Sequence, residues 1–184
     1  MAPGGMGWIP SDSATLEAIS IAHDAGIKVV LERGSSHIEH QTDLLKDAYS
    51  EFKLNYTFTE PEIIAREKEE YDLVDAIAVP NQFAANSFKQ FGLADKLIIN
   101  PYGVDLSRFL PRKRHSKNKR KKIIFVGTVG IRKGVPWLLR AFKGLEDIAE
   151  LHLLGPVERG FDNVIASENI EGVVIRGAMK FNNL

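Results

Sequence analysis

Residues 127–134 have the composition of a phosphate-binding loop. They read Gly-Thr-Val-Gly-Ile-Arg-Lys-Gly and lie between a predicted strand and a predicted helix. Glycines let a backbone approach a phosphate closely, free N–H groups at a helix start favour an anion, and Arg132 and Lys133 add two cations. We therefore expect a diphosphate to bind at Gly127, Thr128, Gly130, Arg132, Lys133 and Gly134. A plain glycine-rich turn stays an alternative, because the spacing fits neither the P-loop nor the dinucleotide fingerprint.

A second polar loop, residues 32–37, follows another predicted buried strand. It supplies a carboxylate, a guanidinium, two hydroxyls and an imidazole within six residues. Ligands of open parallel sheets bind beyond the carboxyl ends of the strands. The loop could therefore hold a sugar or position a reacting group. In the alternative interpretation, Ser35 and Ser36 only form the turn and His37 faces solvent.

A basic run interrupts the chain at residues 112–122, where eight of eleven residues are Lys or Arg. It fits a solvated linker, an exposed loop, or a patch for nucleic acid or anionic lipid. No aromatic residue interleaves the run, which argues against single-stranded nucleic acid. We expect no nucleic-acid partner and leave peripheral membrane contact open.

Short apolar runs alternate with helical patterns, which predicts an α/β protein with parallel sheets covered by helices. The predicted strands are residues 27–31, 76–79, 97–99, 123–126, 151–154 and 173–175. Helix starts are expected at Thr59, with Glu62 completing a capping box, and at Asn81. The side shared by Phe83, Phe88 and Phe91 is expected in the core. The first ten residues have no periodicity.

Two half-domains are predicted, each with too few strands for a complete doubly wound domain. The first comprises residues 1–111, residues 112–122 form a basic linker, and residues 123–184 begin the second. The edges that such half-sheets expose could be covered in an oligomer.

The composition is that of an ordinary soluble globular protein: 184 residues, 44% hydrophobic and 26% charged. The absence of cysteine excludes disulfides and thiolate metal sites and fits a reducing compartment. No apolar run approaches the roughly 20 residues that span a bilayer, and no secretory signal is visible. We expect a cytoplasmic protein.

Three segments in order resemble the family-4 glycosyltransferases of the GT-B fold. Residues 100–105 (Asn-Pro-Tyr-Gly-Val-Asp), with Phe109 and Pro111, resemble the segment leaving that family's N-terminal domain. Residues 124–134 resemble the first strand and donor-diphosphate loop of its C-terminal domain, and residues 151–155 resemble the next strand. Residues 70–80 also fit the last part of the N-terminal domain, and the order and distances agree across roughly residues 14–180.

The resemblance implies two Rossmann-like half-domains of GT-B type, with a nucleoside-diphosphate sugar bound mainly by the C-terminal one. It implies glycosyl transfer with retention and neither a cofactor nor an essential metal. Lys133 aligns with the family's donor-phosphate lysine. Thr128 stands where the family commonly has arginine, which Arg132 would replace. His37 is the candidate for a histidine near the transferred sugar, with Arg33 as its neighbour; both are catalytic candidates.

The function implied is that of a retaining glycosyltransferase fragment whose acceptor is a carbohydrate, a lipid or another molecule. The family's later pair of glutamates, separated by seven residues, is not supplied after Gly177. The alternative is therefore a non-catalytic nucleotide- or sugar-binding module. An epimerase acting on a nucleoside-diphosphate sugar is a weaker alternative.

Overall fold

The structure is a computed structural model that describes residues 6–10, 15–57, 59–107 and 120–178. These residues form two compact α/β units. The first contains residues 6–10, 15–44, 57 and 59–107, and the second contains residues 45–56 and 120–178. Among the described helices, none combines the length and the apolar character that a membrane crossing needs.

The first unit is built on a four-stranded parallel sheet ordered β1-β2-β3-β4. The strands are β1 (Met6–Pro10), β2 (Lys28–Glu32), β3 (Ala76–Val79) and β4 (Leu97–Ile99). The helices are α1 (Thr15–Asp24), α2 (Ile38–Glu51), α3 (Pro61–Leu73) and α4 (Gln82–Lys89), and Ala94–Lys96 forms a 3-10 turn. The second half of α2 groups with the other unit.

The two central strands of this sheet are buried, as their continuous apolar runs predict. Val29, Val30 and Leu31 in β2 and Ile77 in β3 are all inaccessible to solvent. The predictions for β3 and β4 are confirmed, and β2 begins and ends one residue later than predicted.

Strand β1 lies within the first ten residues, where the sequence shows no periodicity and no strand is predicted. It pairs in parallel with β2, from Met6 opposite Lys28 to Pro10 opposite Glu32. Proline cannot donate to a ladder and is tolerated at a sheet edge. This strand therefore forms because it pairs with β2. Pairing with a distant strand produces no local pattern in the sequence.

The two predictions about helix starts have different outcomes. Asn81 is confirmed as the cap of α4, since its Oδ1 accepts a hydrogen bond from the Ala84 N–H at 2.9 Å. The cap position of α3 is Glu60 rather than Thr59, and no side chain forms a capping hydrogen bond there.

The prediction that Phe83, Phe88 and Phe91 share a side in the core holds for Phe88 alone. Phe88 is buried, whereas Phe83 is 63% exposed and Phe91, beyond the end of α4, is 41% exposed.

The second unit has a three-stranded parallel sheet ordered β5-β6-β7. Its strands are β5 (Lys121–Val126), β6 (Ala149–Leu154) and β7 (Val173–Gly177). Its helices are α5 (Val135–Phe142) and α6 (Phe161–Glu168), with a 3-10 turn at Ile131–Lys133. The three strands include the predicted ranges and extend them by two residues. Helix α6 is not predicted from the sequence, because it is short and has only two buried residues, Phe161 and Val164.

The second unit also includes residues 45–56, which the sequence placed with the first half. The physical reason is the apolar side of α2, where Leu45 and Tyr49 are buried in one cluster with Val129, Leu139 and Leu151. The predicted boundary near residue 111 and the basic run up to residue 119 lie outside the described residues. Lys121 and Lys122 belong to β5 and not to a linker.

Strand β5 is the edge of the described sheet, with β6 as its one neighbour there. Its side chains are accessible on both faces of the sheet, and Ile124 and Val126 are 60% and 62% exposed.

Candidate functional site

The loop between β5 and α5 follows a course fixed by hydrogen bonds to the end of β6. The Gly127 N–H donates to the Leu154 carbonyl at 2.9 Å, and the Val129 N–H donates to the Pro156 carbonyl at 2.8 Å. The Val129 side chain is fully buried. The two backbone hydrogen bonds and the buried Val129 side chain therefore hold the loop in place. The polar residues of the loop lie next to these anchored positions.

Gly134 ends the loop in a conformation that favours glycine. Its φ is +74°, in the left-handed region, and it joins the 3-10 turn Ile131–Lys133 to α5. Pro136 lies in the first turn of α5, where its missing N–H costs no helix bond. The predicted strand-loop-helix arrangement is thus present.

Gly130 lies directly against the carboxylate of Glu158. A Cβ built on Gly130 would come 2.0 Å from the Glu158 Oε2 atom, so no larger residue fits without a shift. The Ile131 N–H donates to the same oxygen at 3.0 Å. The Tyr49 hydroxyl donates to the other carboxylate oxygen, Oε1. The glycine therefore makes room for a carboxylate at the loop backbone.

These groups line one cleft of about 330 Å³. Its lining residues are Tyr49, Thr128, Gly130, Arg132, Lys133 and Glu158. Arg132 and Lys133 are exposed, and within the described part of the chain neither side chain has an ion-pair partner. Two cations that form no ion pair among the described residues, beside a glycine-rich backbone, favour binding of a multiply charged anion.

The structure brings four of the six predicted phosphate-loop residues to this cleft, and Gly127 and Gly134 flank it. Sequence reasoning missed Glu158 and Tyr49. Their hydrogen bond joins residues 109 positions apart, so no local spacing could have indicated it.

Tyr49 stays protonated and can keep donating to Glu158. Burial raises the pKa of its hydroxyl well above the usual value, and the hydrogen bond to Glu158 and that residue's negative charge raise it further. The contact between phenol and carboxylate is therefore one between a neutral donor and a charged acceptor.

The other candidate loop, after β2, is engaged within the first unit. Arg33 is buried and pairs with Glu67, with 2.9 Å between Nη2 and Oε2. The Tyr71 hydroxyl donates to the same oxygen of Glu67 at 2.7 Å. Arg33 is thus part of an internal network that ties this loop to α3.

His37 is 2% exposed, and the interpretation in which it faces solvent is wrong. Its Nδ1 accepts a hydrogen bond from the Glu39 N–H at 3.3 Å, at the start of α2, and its ring stacks on Phe91 at a centroid distance of 3.8 Å. Burial lowers its pKa to about 4; Glu39 opposes that shift, whereas Lys68 and Arg33 add to it. The ring is therefore neutral at neutral pH and caps the helix.

Within the described ranges, no group of three or more His, Asp or Glu side chains is placed to hold a metal ion.

Comparison with known proteins gives a likeness in structure only. The sequence matches no protein-family model, and no curated protein matches it significantly. The structure is similar to that of HepE from Anabaena in complex with UDP and glucose, with a TM-score of 0.54 and 15% identity over 94% of this chain and 48% of that one. It is also similar to a variant of TarM from S. aureus in complex with Fondaparinux, α-GlcNAc-glycerol and UDP, with a TM-score of 0.50 and 12% identity over 87% of this chain and 31% of that one.

The two α/β units match half-domains of the GT-B glycosyltransferase fold. The chain spans about half the length of HepE and about a third of TarM. The assignment to family 4 stays a prediction.

Proposed function

We propose that this chain is part of a retaining glycosyltransferase that binds a nucleoside-diphosphate sugar through the loop between β5 and α5. The observation that carries the proposal is the cleft of about 330 Å³ in which Arg132 and Lys133 lie beside Gly130 and form no ion pair with any described residue. The likeness to proteins crystallised with UDP supports a uridine nucleotide as the first ligand to test.

In this proposal the loop acts on the leaving group. Negative charge grows on the diphosphate as the bond to the sugar breaks, and donors already fixed in place stabilise it most. Lys133 and Arg132 supply positive charge, and the Thr128 hydroxyl supplies a further donor. With these cations in place, the proposal requires neither a bound metal nor another cofactor.

Arg33 and His37 stay predictions as catalytic residues. Their contacts with Glu67 and with the Glu39 N–H support a positioning role for the loop after β2. The acceptor, a cytoplasmic location and membrane contact through residues 112–122 also stay predictions from the sequence.

The second candidate function is nucleotide or sugar binding without transfer. The burial of His37 and its engagement in a helix cap favour it, because a group that is held in this way does not reach a substrate. Incubation with UDP-glucose and mass spectrometry distinguishes the two: free UDP and a transferred or hydrolysed glucose support the enzyme, and unchanged donor with saturable UDP binding supports the binding module.

The test of the phosphate loop is calorimetric titration with UDP, GDP and ADP in the absence of metal. We expect saturable binding of one of them and at least about tenfold weaker binding by Lys133→Ala, since a hydrogen bond to a charged group contributes about 1.5–3 kcal/mol.

The matched control is Lys121→Ala. It removes an exposed lysine at the opposite end of β5 and should leave the affinity unchanged. Equal affinities for the unmodified chain and Lys133→Ala would remove Lys133 from the site. No binding of any nucleotide would contradict the proposed function.

A further inference from the structure

Glu158 is held beside the phosphate loop by its backbone. The Glu158 N–H donates to the Val129 carbonyl at 2.9 Å, and the Val129 N–H donates to the Pro156 carbonyl at 2.8 Å. Val129 and Val157 form a parallel bridge between the two loops. This short ladder extends the pairing of β5 and β6 and fixes the point from which the Glu158 side chain leaves.

The two hydrogen bonds that the Glu158 carboxylate accepts both come from neutral donors. Oε2 accepts from the Ile131 N–H at 3.0 Å, and Oε1 accepts from the Tyr49 hydroxyl. In the described part of the chain it forms no ion pair, although Arg132 and Lys133 line the same cleft. The cleft thus contains the Glu158 carboxylate, which is hydrogen-bonded to the Ile131 N–H, and two cations that form no ion pair with it.

A phosphate oxygen and a carboxylate oxygen satisfy a backbone N–H in the same way. An anion that approaches the loop therefore meets an N–H already in use, at a position where Gly130 leaves room for one charged group. It also meets a like charge, whose repulsion over 4–6 Å is substantial in a partly enclosed cleft.

We propose that Glu158 is a specificity-determining residue that occupies the phosphate position at Ile131 while the cleft is empty and is displaced when a diphosphate binds. The inference rests on the proposed function of the same loop. While the cleft is empty, the Tyr49 hydroxyl helps to hold the Glu158 carboxylate at the Ile131 N–H. Arg132 and Lys133 attract a multiply charged ligand strongly enough to make displacement of Glu158 favourable. A neutral ligand gains nothing from displacing Glu158.

The test uses the whole chain and titration with inorganic diphosphate and with UDP. Glu158→Gln keeps the size and one acceptor oxygen, replaces the other oxygen by an amide N–H₂ that cannot accept, and removes the charge, so it should bind inorganic diphosphate about tenfold more tightly. Tyr49→Phe removes one contact of the carboxylate and should also tighten binding, by a smaller factor. Uridine, which has no phosphate, serves as a ligand control whose binding should be the same in all variants.

The matched control for net charge is Glu171→Gln, an exposed carboxylate before β7 and outside the cleft. Unchanged or weaker diphosphate binding by Glu158→Gln, while the unmodified chain binds UDP, would overturn the inference and leave the proposed function standing. Diphosphate binding by Glu158→Gln, with neither diphosphate nor UDP bound by the unmodified chain, would contradict the proposed function and also the displacement of Glu158 by a ligand. If neither the unmodified chain nor Glu158→Gln binds diphosphate or UDP, both the inference and the proposed function are overturned.

Discussion

The imidazole of His37 lies among three aromatic rings, those of Tyr71, Phe88 and Phe91, at centroid distances of 5.0, 5.3 and 3.8 Å. Its pKa is lowered from 6.5 to about 4, chiefly by burial. The unfolded chain therefore takes up a proton between these values and the folded chain does not. The stability that the neutral ring contributes is complete above about pH 6.5 and is lost as the pH falls to about 4.

We predict that His37→Asn makes the free energy of unfolding less dependent on pH between 6.5 and 4. The amide oxygen can still accept from the Glu39 N–H, while up to about 1.4 kcal/mol per pH unit of linkage disappears. Urea denaturation at several pH values measures this slope. Ser87→Ala is the control, since it removes the 2.9 Å bond from the His37 N–H and should lower stability without changing the slope. Equal slopes for His37→Asn and the unmodified chain would contradict the prediction.

At the scale of single residues, the sequence identified the two cations of the cleft, Arg132 and Lys133, but not its carboxylate, Glu158. Arg132 and Lys133 follow a strand and glycines, which is a local pattern. Glu158 reaches the cleft through the pairing of two loops and meets Tyr49 from α2, and only the folded chain brings these residues together. His37 was found as a polar residue after a strand, but its burial depends on Phe91, 54 positions away, against which it packs.

At the scale of the element, Lys96 completes the carboxyl end of α3. Its Nζ donates to the carbonyls of Tyr71, Asp72 and Val74 at 3.1, 2.6 and 2.9 Å. The last carbonyls of a helix have no partner within the helix and carry its negative partial charge. A single ammonium group therefore satisfies three acceptors in the turn that leads to β3.

We predict that Lys96→Met lowers the free energy of unfolding by about 1–3 kcal/mol, as expected for hydrogen bonds to a charged group. The midpoint of urea denaturation measures the loss. Lys89→Met is the control, because Lys89 is exposed in the last turn of α4 and its side chain forms no hydrogen bond among the described residues. Equal small effects for the two variants would show that water replaces the Lys96 contacts.

The elements that the sequence predicted well are those whose stability is local or whose apolar run is continuous. Residues 76–79 and 97–99 are such strands, and the Asn81 cap needs only the Ala84 N–H three residues away. Strand β1 depends on its register with β2, and α6 is an eight-residue helix with two buried apolar residues. Neither leaves a periodic pattern long enough to recognise.

At the scale of the whole molecule, the proposed phosphate cleft is lined by residues of the second unit alone. We predict that UDP at a hundred times its dissociation constant stabilises that unit by about 2.7 kcal/mol. Hydrogen exchange should then slow in β5, β6 and β7. The strands β2 and β3 of the first unit provide the internal control and should exchange at an unchanged rate. Slower exchange confined to β2 and β3 would place the nucleotide elsewhere.

The open edge of β5 affects how the protein behaves at high concentration. In the described sheet β5 pairs with β6 on one side alone, and a strand edge open in this way, with Ile124 and Val126 exposed, is a template on which other chains can add strands. The neighbouring Lys121 and Lys122 oppose this by charge repulsion between approaching molecules, as gatekeeper residues do. Salt screens that repulsion within about 10 Å at 0.1 M. Added salt therefore weakens this protection of the β5 edge, and it also weakens the proposed binding of an anion to the cleft.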